Sequence, residues 1–143
     1  MILAQLSCLL TTVESDSHMW NLIYMQRLLQ EQGGWVRNLG CCVPPAETLR
    51  AVRDFRPDLV VVSSVNGNGH YQGRALVQAA RALGDHMPPF VIGGKLTTAM
   101  SDNTWIADDL RAAGYSGVFP GADAAQDFVL YLRRFQGVAV AAG

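Results

Sequence analysis

DLVVVSSV, residues 58 to 65, is the segment that most limits what this chain can become. A Val-rich run without polar alternation suits a strand covered on both faces, and such strands belong to parallel sheets flanked by helices. On either side of it, apolar runs alternate with 3.6-residue patterns, separated by short Gly, Pro, Ser or Asp punctuation. CLLTTV reads as a first strand and HMWNLIYMQRLLQEQ as a helix with Leu22, Met25 and Leu29 on one stripe, stopped by Gly33 and Gly34. WVRNLG is a weaker strand. After Pro44 and Pro45 a helix runs through Leu49, Val52 and Phe55 and ends before Pro57. Beyond DLVVVSSV come a helix over HYQGRALVQAARALG, a strand PPFVIGG, a helix TWIADDLRAAG, a short strand YSGVFP and a closing helix AAQDFVLYLRRF.

Five strands and five helices in strict alternation predict an α/β fold with right-handed crossovers. The simplest outcome is a flavodoxin-like (Rossmann-like), doubly wound, five-stranded parallel sheet in the order 2-1-3-4-5, with helices on both faces. A chain of 143 residues fits one such domain. Residues 1–137 are expected to form it, with 138–143 as a frayed tail. Sheets of this kind bind ligands beyond the carboxyl ends of their strands, where the strand order reverses. Here that point lies between strands 1 and 3.

Eleven basic and 12 acidic side chains give a net charge of -1, without the positive field that gathers nucleic acid. No apolar run reaches the ~18 to 20 residues that cross a bilayer, and no basic region with a cleavage signal opens the chain. A cytoplasmic protein with neither nucleic acid nor membrane as partner is expected. Cys8, Cys41 and Cys42 are too few and too oddly spaced for a disulfide framework or a zinc site, so reduced and mostly buried thiols are expected.

Chemistry is therefore sought in Ser15-Asp16-Ser17-His18 after strand 1, Ser63 to Gly69 after strand 3, and Gly93-Gly94 after strand 4. Asp16 and His18 are two apart, so in an extended loop they point to the same side. The carboxylate can take the proton of one ring nitrogen, which fixes the tautomer and makes the other nitrogen a better donor to a metal, or a general base. A plainer alternative has Asp16 or Ser15 capping the next helix with His18 on its first turn.

Other patterns carry less. Gly94-Lys95 ends like a P-loop, but position 89 is Pro and Leu96 stands where Ser or Thr would hold magnesium. Gly67-x-Gly69-x-x-x-Gly73 has one residue too many for a dinucleotide fingerprint and follows the third strand. His70 and His86 have no acid or cysteine at ligand spacing and read as solvated helix residues. One histidine and one carboxylate leave a metal short of ligands, so another molecule would have to supply the rest.

A corrinoid supplies four equatorial nitrogens and needs one axial ligand. On SDSHMWN against Asp-x-His-x-x-Gly, SSV against Ser-x-Leu, VIGG against a later Gly-Gly, the loop SSVNGNG and the ending GYSGVFPG, the chain resembles the cobalamin-binding domain family. Within it the likeness is greatest to the small subunits of glutamate (methylaspartate) mutases, and it runs from about Leu6 to Phe135. The resemblance implies His18 as lower axial ligand to the cobalt, with Asp16 holding its other nitrogen; these two carry the catalytic role. Ser63 would hydrogen-bond the displaced benzimidazole, Val65 would pack beside it, Gly93 and Gly94 would make room for the nucleotide tail, and Ser15 would support the loop. The full cofactor-binding set adds Ser17, Met19 and Asn21 in the first loop, Ser64, Gly67 and Gly69 in the second, and Lys95 in the third. Two positions depart from the motif: Val65 replaces Leu, and Asn21 replaces Gly, so that either the helix starts differently or Asn21 itself touches the ligand.

The implied cofactor is adenosylcobalamin, whose cobalt–carbon bond opens by homolysis to start a carbon-skeleton rearrangement. The implied partner is a large substrate-binding barrel subunit, because a barrel needs roughly 250 residues and none are left over. Trp20 and the loop from Asn66 to Tyr71 are candidate contacts. A corrinoid carrier for methyl transfer or a cobalamin-sensing regulator is the alternative; these usually carry a preceding helical bundle, and none is expected before Met1. A receiver-like signalling domain would want clustered acids after strand 1, of which Glu14 with Asp16 is a poor version.

Overall fold

The computed structural model describes residues 5–97, 103–121 and 123–142. The strands are β1 (Leu6–Thr11), β2 (Gly34–Asn38), β3 (Leu59–Ser63), β4 (Phe90–Gly94) and β5 (Gly117–Pro120). The helices are α1 (Met19–Glu31), α2 (Pro45–Phe55), α3 (Gly69–Ala80), α4 (Asn103–Ala113) and α5 (Ala124–Ala142). All strands are parallel in the order β2-β1-β3-β4-β5, the simplest outcome expected from the alternation of patterns.

Every residue of β3 is buried, which is why its sequence shows no polar alternation. Its odd and even positions serve two different cores. Val60 and Val62 pack with Leu9, Phe90 and Ile92 under α2, α3 and α4, through Leu49, Val52, Leu76, Val77, Ile106 and Leu110. Leu59 and Val61 pack with Cys8, Leu10 and Val91 under α1 and α5, through Leu22, Leu29, Phe128 and Leu132. Burying each large aliphatic side chain contributes about 1.5–3 kcal/mol, so the two layers fix the register of the sheet. β2 lies at the edge and alternates exposed Trp35 and Arg37 with half-buried Val36 and Asn38.

Local chemistry sets the element ends. α2 starts with Pro45 in its first turn, and Arg56 closes it in the left-handed region (φ 50°), donating its N–H to the Val52 carbonyl ahead of Pro57. The third helical pattern, expected through Gly84, stops as α-helix at Ala80 and continues as a 3-10 segment over Arg81–His86. Gly84 there leaves helical geometry (φ 60°, ψ -132°), and side-chain periodicity cannot tell the two helix types apart over one turn. α5 runs past Phe135, where the amphipathic pattern ends, to Ala142, so it overlaps the tail expected over 138–143; Gly143 lies outside the described residues.

The Gly67-x-Gly69-x-x-x-Gly73 pattern acts in packing. A Cβ at Gly69 would meet the Leu96 side chain at 2.8 Å, and one at Gly73 would collide with Ile92. These glycines therefore let α3 lie close to the sheet. The buried Tyr115 hydroxyl donates to the Gly73 carbonyl at 2.6 Å. Among the described residues, no helix is long and apolar enough to cross a membrane.

Candidate functional site

The reversal of strand order brings the loops after β1, β3 and β4 together at one end of the sheet. Asp16 is their hub. Its side chain is 3% exposed, and Oδ1 accepts the backbone N–H of His18 at 2.9 Å and the His18 ring at 2.7 Å from Nδ1. Oδ2 accepts the Ser64 hydroxyl at 2.9 Å and the Val65 N–H at 2.8 Å. The Asp16 carbonyl accepts the N–H of Cys42 at 2.8 Å. Burial pushes this carboxyl up, but the hydrogen bonds from His18, Val65 and Ser64 outweigh burial and hold it below the usual carboxylate range. An ionised Asp16 accepts the proton on Nδ1, which leaves a lone pair on Nε2 of His18.

The two readings of Asp-x-His are thereby separated. α1 begins at Met19 with His18 at its N-cap, and no side chain caps the helix. Both oxygens of Asp16 are occupied by His18, Ser64 and Val65, so the carboxylate does not cap α1. The His18 side chain is 54% exposed, so the imidazole is fixed at one nitrogen and open to an incoming group at the other.

Behind this loop, between α1, α5 and the ends of β3, β4 and β5, lies a cleft of about 210 Å³. Tyr24, Met25, Val61, Val91, Phe119 and Phe128 supply most of its wall, with Ser63, Gly93 and Gly94 at the strand ends. Gly93 keeps the floor low, since a Cβ there would sit 3.0 Å from the Phe119 carbonyl oxygen. Gly94 has φ 113°, and a Cβ there would collide with the Ser64 carbonyl oxygen; glycine is the residue that fits. Asn21, in the first turn of α1, also lines the cleft and donates Nδ2–H to Ser63 Oγ at 2.7 Å. The helix does not start differently, since α1 begins at Met19, within one residue of the expected start, and the Asn21 side chain lines the cleft.

The remaining candidates divide. Ser15 Oγ donates to Gln72 Oε1 at 2.6 Å and accepts Asn66 Nδ2 at 2.8 Å, so it braces the first loop against the second. Val65 lies beside Gly94. Gly67 donates its N–H to the Lys95 carbonyl at 3.3 Å, tying the second loop to the third, while the Lys95 side chain is exposed. Ser17 and Met19 are exposed on the His18 loop. Gln72 was not foreseen, because a polar residue one turn into a helix looks like any solvated position. The cleft wall also carries no sequence signal: Tyr24 on α1, Phe119 on β5 and Phe128 on α5 are far apart in the chain.

Two expectations are corrected. His70 is not simply solvated: its Nε2 lies 2.8 Å from Asp109 Oδ2 and its side chain is 22% exposed. The pairing joins α3 to α4 across 39 positions, a distance at which sequence spacing is silent. His86 is exposed. Nor are the thiols mostly buried, for only Cys8 is; Cys41 is partly covered and Cys42 exposed, because both sit in the turn after β2 at the sheet edge. Among the described residues no group of three or more His, Cys, Asp and Glu side chains could hold a metal ion.

The chain is similar in sequence and in structure to several known proteins. A protein named glutamate mutase sigma subunit from Halobacterium salinarum is 29% identical over 110 residues, covering 77% of this chain and 73% of that one. Another of the same name from Carboxydothermus hydrogenoformans is 24% identical over 134 residues, covering 94% and 98%. A crystal structure of a cobalamin-binding protein from Desulfitobacterium hafniense superposes with a TM-score of 0.71 at 23% identity, covering 92% of this chain; the chain spans 59% of that protein's length. The receiver domain of NtrX from Brucella abortus also superposes, with a TM-score of 0.63 at 17% identity over 90% of this chain and 98% of that one. At such identities structural likeness speaks for the fold alone. The sequence decides between them: residues 6–129 match the B12 binding domain, and the chain belongs to that family.

Proposed function

We propose that the protein binds cobalamin with its own base displaced, His18 serving as the axial ligand through Nε2, and that it is the small subunit of an adenosylcobalamin-dependent mutase of the glutamate (methylaspartate) type. The observation that carries this is the Asp16–His18 pair, with one ring nitrogen held at 2.7 Å and the ring half exposed, on the loop leading into α1, whose Asn21 lines a cleft with Gly93 and Gly94. The residues present fit such a group. A neutral imidazole suits cobalt, the carboxylate behind it fixes the tautomer and the orientation of the ring, and an apolar cleft with a serine at its end suits a flat heteroaromatic tail. Ser15, Ser64 and Val65 hold the loop that carries His18.

When bound, adenosylcobalamin supplies radical chemistry through its cobalt–carbon bond. The chain's own part is orientation. It fixes the imidazole, offers a cleft to the tail, and exposes the aromatic surfaces of Trp20 on α1 and Tyr71 on α3, each 83% exposed, to a large substrate-binding barrel subunit. The names of the two sequence relatives support this assignment over methyl transfer.

The test is spectroscopic. The reduced cobalt(II) form bound to wild type should show an EPR signal split by a histidine nitrogen, and His18→Gly should lose it. A spectrum with the benzimidazole still on cobalt would overturn the reading. Mixed with a large mutase subunit and glutamate, the loaded protein should yield methylaspartate; methyl transfer to an acceptor without isomerisation would move it to the corrinoid carriers.

A further inference from the structure

The wall of the cleft is apolar except where Asn21 and Ser63 meet, with Tyr24 nearer the rim at 58% exposure. Asn21 Nδ2 donates to Ser63 Oγ at 2.7 Å, while Ser63 is 3% exposed. A hydroxyl that accepts from an amide turns its own proton elsewhere, so Ser63 is left as a donor. Asn21 Oδ1 is left as an acceptor beside it, with no partner among the described residues. Were the amide turned over, the pair would still offer one donor and one acceptor, with the roles exchanged. The end of the cleft therefore presents a two-point polar edge in an apolar slot.

We propose that Asn21 and Ser63 read the lower base of a cobamide, and that the chain prefers a base with a donor beside its acceptor nitrogen, an aminopurine, over dimethylbenzimidazole. This rests on the reading that the cleft receives the nucleotide tail. A displaced dimethylbenzimidazole brings one acceptor nitrogen, no donor and two methyl groups. It satisfies the serine but leaves the Asn21 carbonyl facing hydrocarbon. An aminopurine edge satisfies both. Sites built to pair a polar group reject analogues lacking its partner more strongly than apolar slots reject changes of size. Glycine at position 21 would remove both the acceptor and some of the bulk.

The experiment measures binding of three probes to the full chain by quenching of tryptophan fluorescence: adeninyl cobamide, dimethylbenzimidazolyl cobalamin, and cobinamide, which has no nucleotide tail. Wild type should bind the adeninyl form about tenfold more tightly than the dimethylbenzimidazolyl form. Asn21→Gly, and Asn21→Ala as the variant that keeps helix propensity, should bring that ratio close to one while leaving cobinamide affinity unchanged. A wild-type ratio of one or below, or a ratio that survives both substitutions, overturns the proposal while the corrinoid reading stands. Failure of all three probes to bind overturns both.

Discussion

Ser64 Oγ donates to Asp16 Oδ2 at 2.9 Å, and through this bond the end of the central strand sets the position of the loop that carries His18. The bond is one of four on a carboxylate 3% exposed. Asp16→Asn keeps the shape but turns an NH2 toward donors, and should cost about 2–4 kcal/mol at neutral pH. The cost depends on pH with a definite sign. Because the folded state holds this carboxyl below its ordinary 3.8, its stabilisation is complete above the unfolded value and is lost as pH falls through the folded one. Urea unfolding of wild type and variant from about pH 7 to pH 3 should show a gap that narrows only below about pH 4. A gap constant over that range would mean Asp16 is not held as the anion.

Gly94 offers a sharper contrast between backbone conformation and space. Its φ is 113° and an added Cβ would run into the carbonyl of Ser64, a residue tied to β4 by its N–H, which donates to the Gly93 carbonyl at 3.1 Å. Gly33 also has positive φ, 87°, but a Cβ there meets nothing within 4 Å. Gly33→Ala should therefore cost about 1–2 kcal/mol from conformation alone, and Gly94→Ala about 3 kcal/mol or more. Equal losses in chemical denaturation would show that the contact with Ser64 is unimportant.

How much of this was legible in the sequence follows from the range of the forces involved. The order of β3 and its neighbours was readable because double-sided burial writes a continuous Val run, and the crossover rule then leaves few topologies. Asp16 and His18 were readable because they are two apart. The cleft wall was not: Tyr24, Phe119 and Phe128 come from α1, β5 and α5 and look like core until the sheet brings them together. Asn21 showed itself only as a departure from a motif, and what it does required the position of Ser63, 42 residues away. His70 and Asp109 escaped for the same reason.

The pairing of α3 with α4 rests on Asp109, which receives His70 Nε2 at 2.8 Å and Arg74 at 3.1 and 3.2 Å. His70 also meets Trp105 edge to face at 5.2 Å. Arg74 is half exposed, so its ion pair should contribute no more than about 1 kcal/mol. Asp109→Ala, which leaves His70 without its partner, should cost about 1–2 kcal/mol. A double-mutant cycle over His70→Ala and Asp109→Ala should return a coupling of at least about 0.5 kcal/mol. Additive losses in that cycle would show the contact to be energetically silent.

The three thiols should separate by reactivity, since only a thiolate attacks a disulfide reagent and only an accessible one does so quickly. Cys8 is fully buried in β1, and burial, with Asp58 nearby, pushes its thiol up to about 12. At about pH 8 it should stay unmodified for as long as the protein is folded. Cys42 is exposed and Cys41 partly covered, so an aromatic disulfide reagent should label Cys42 first and Cys41 more slowly. Raised urea should release the third thiol along the same transition that ellipticity follows, because no local opening exposes a central strand without unfolding the sheet. Labelling of Cys8 in native buffer at a rate close to that of Cys41 would show that β1 opens by itself, and the loop that holds Asp16 and His18 would then lack the rigid base from which the site is built.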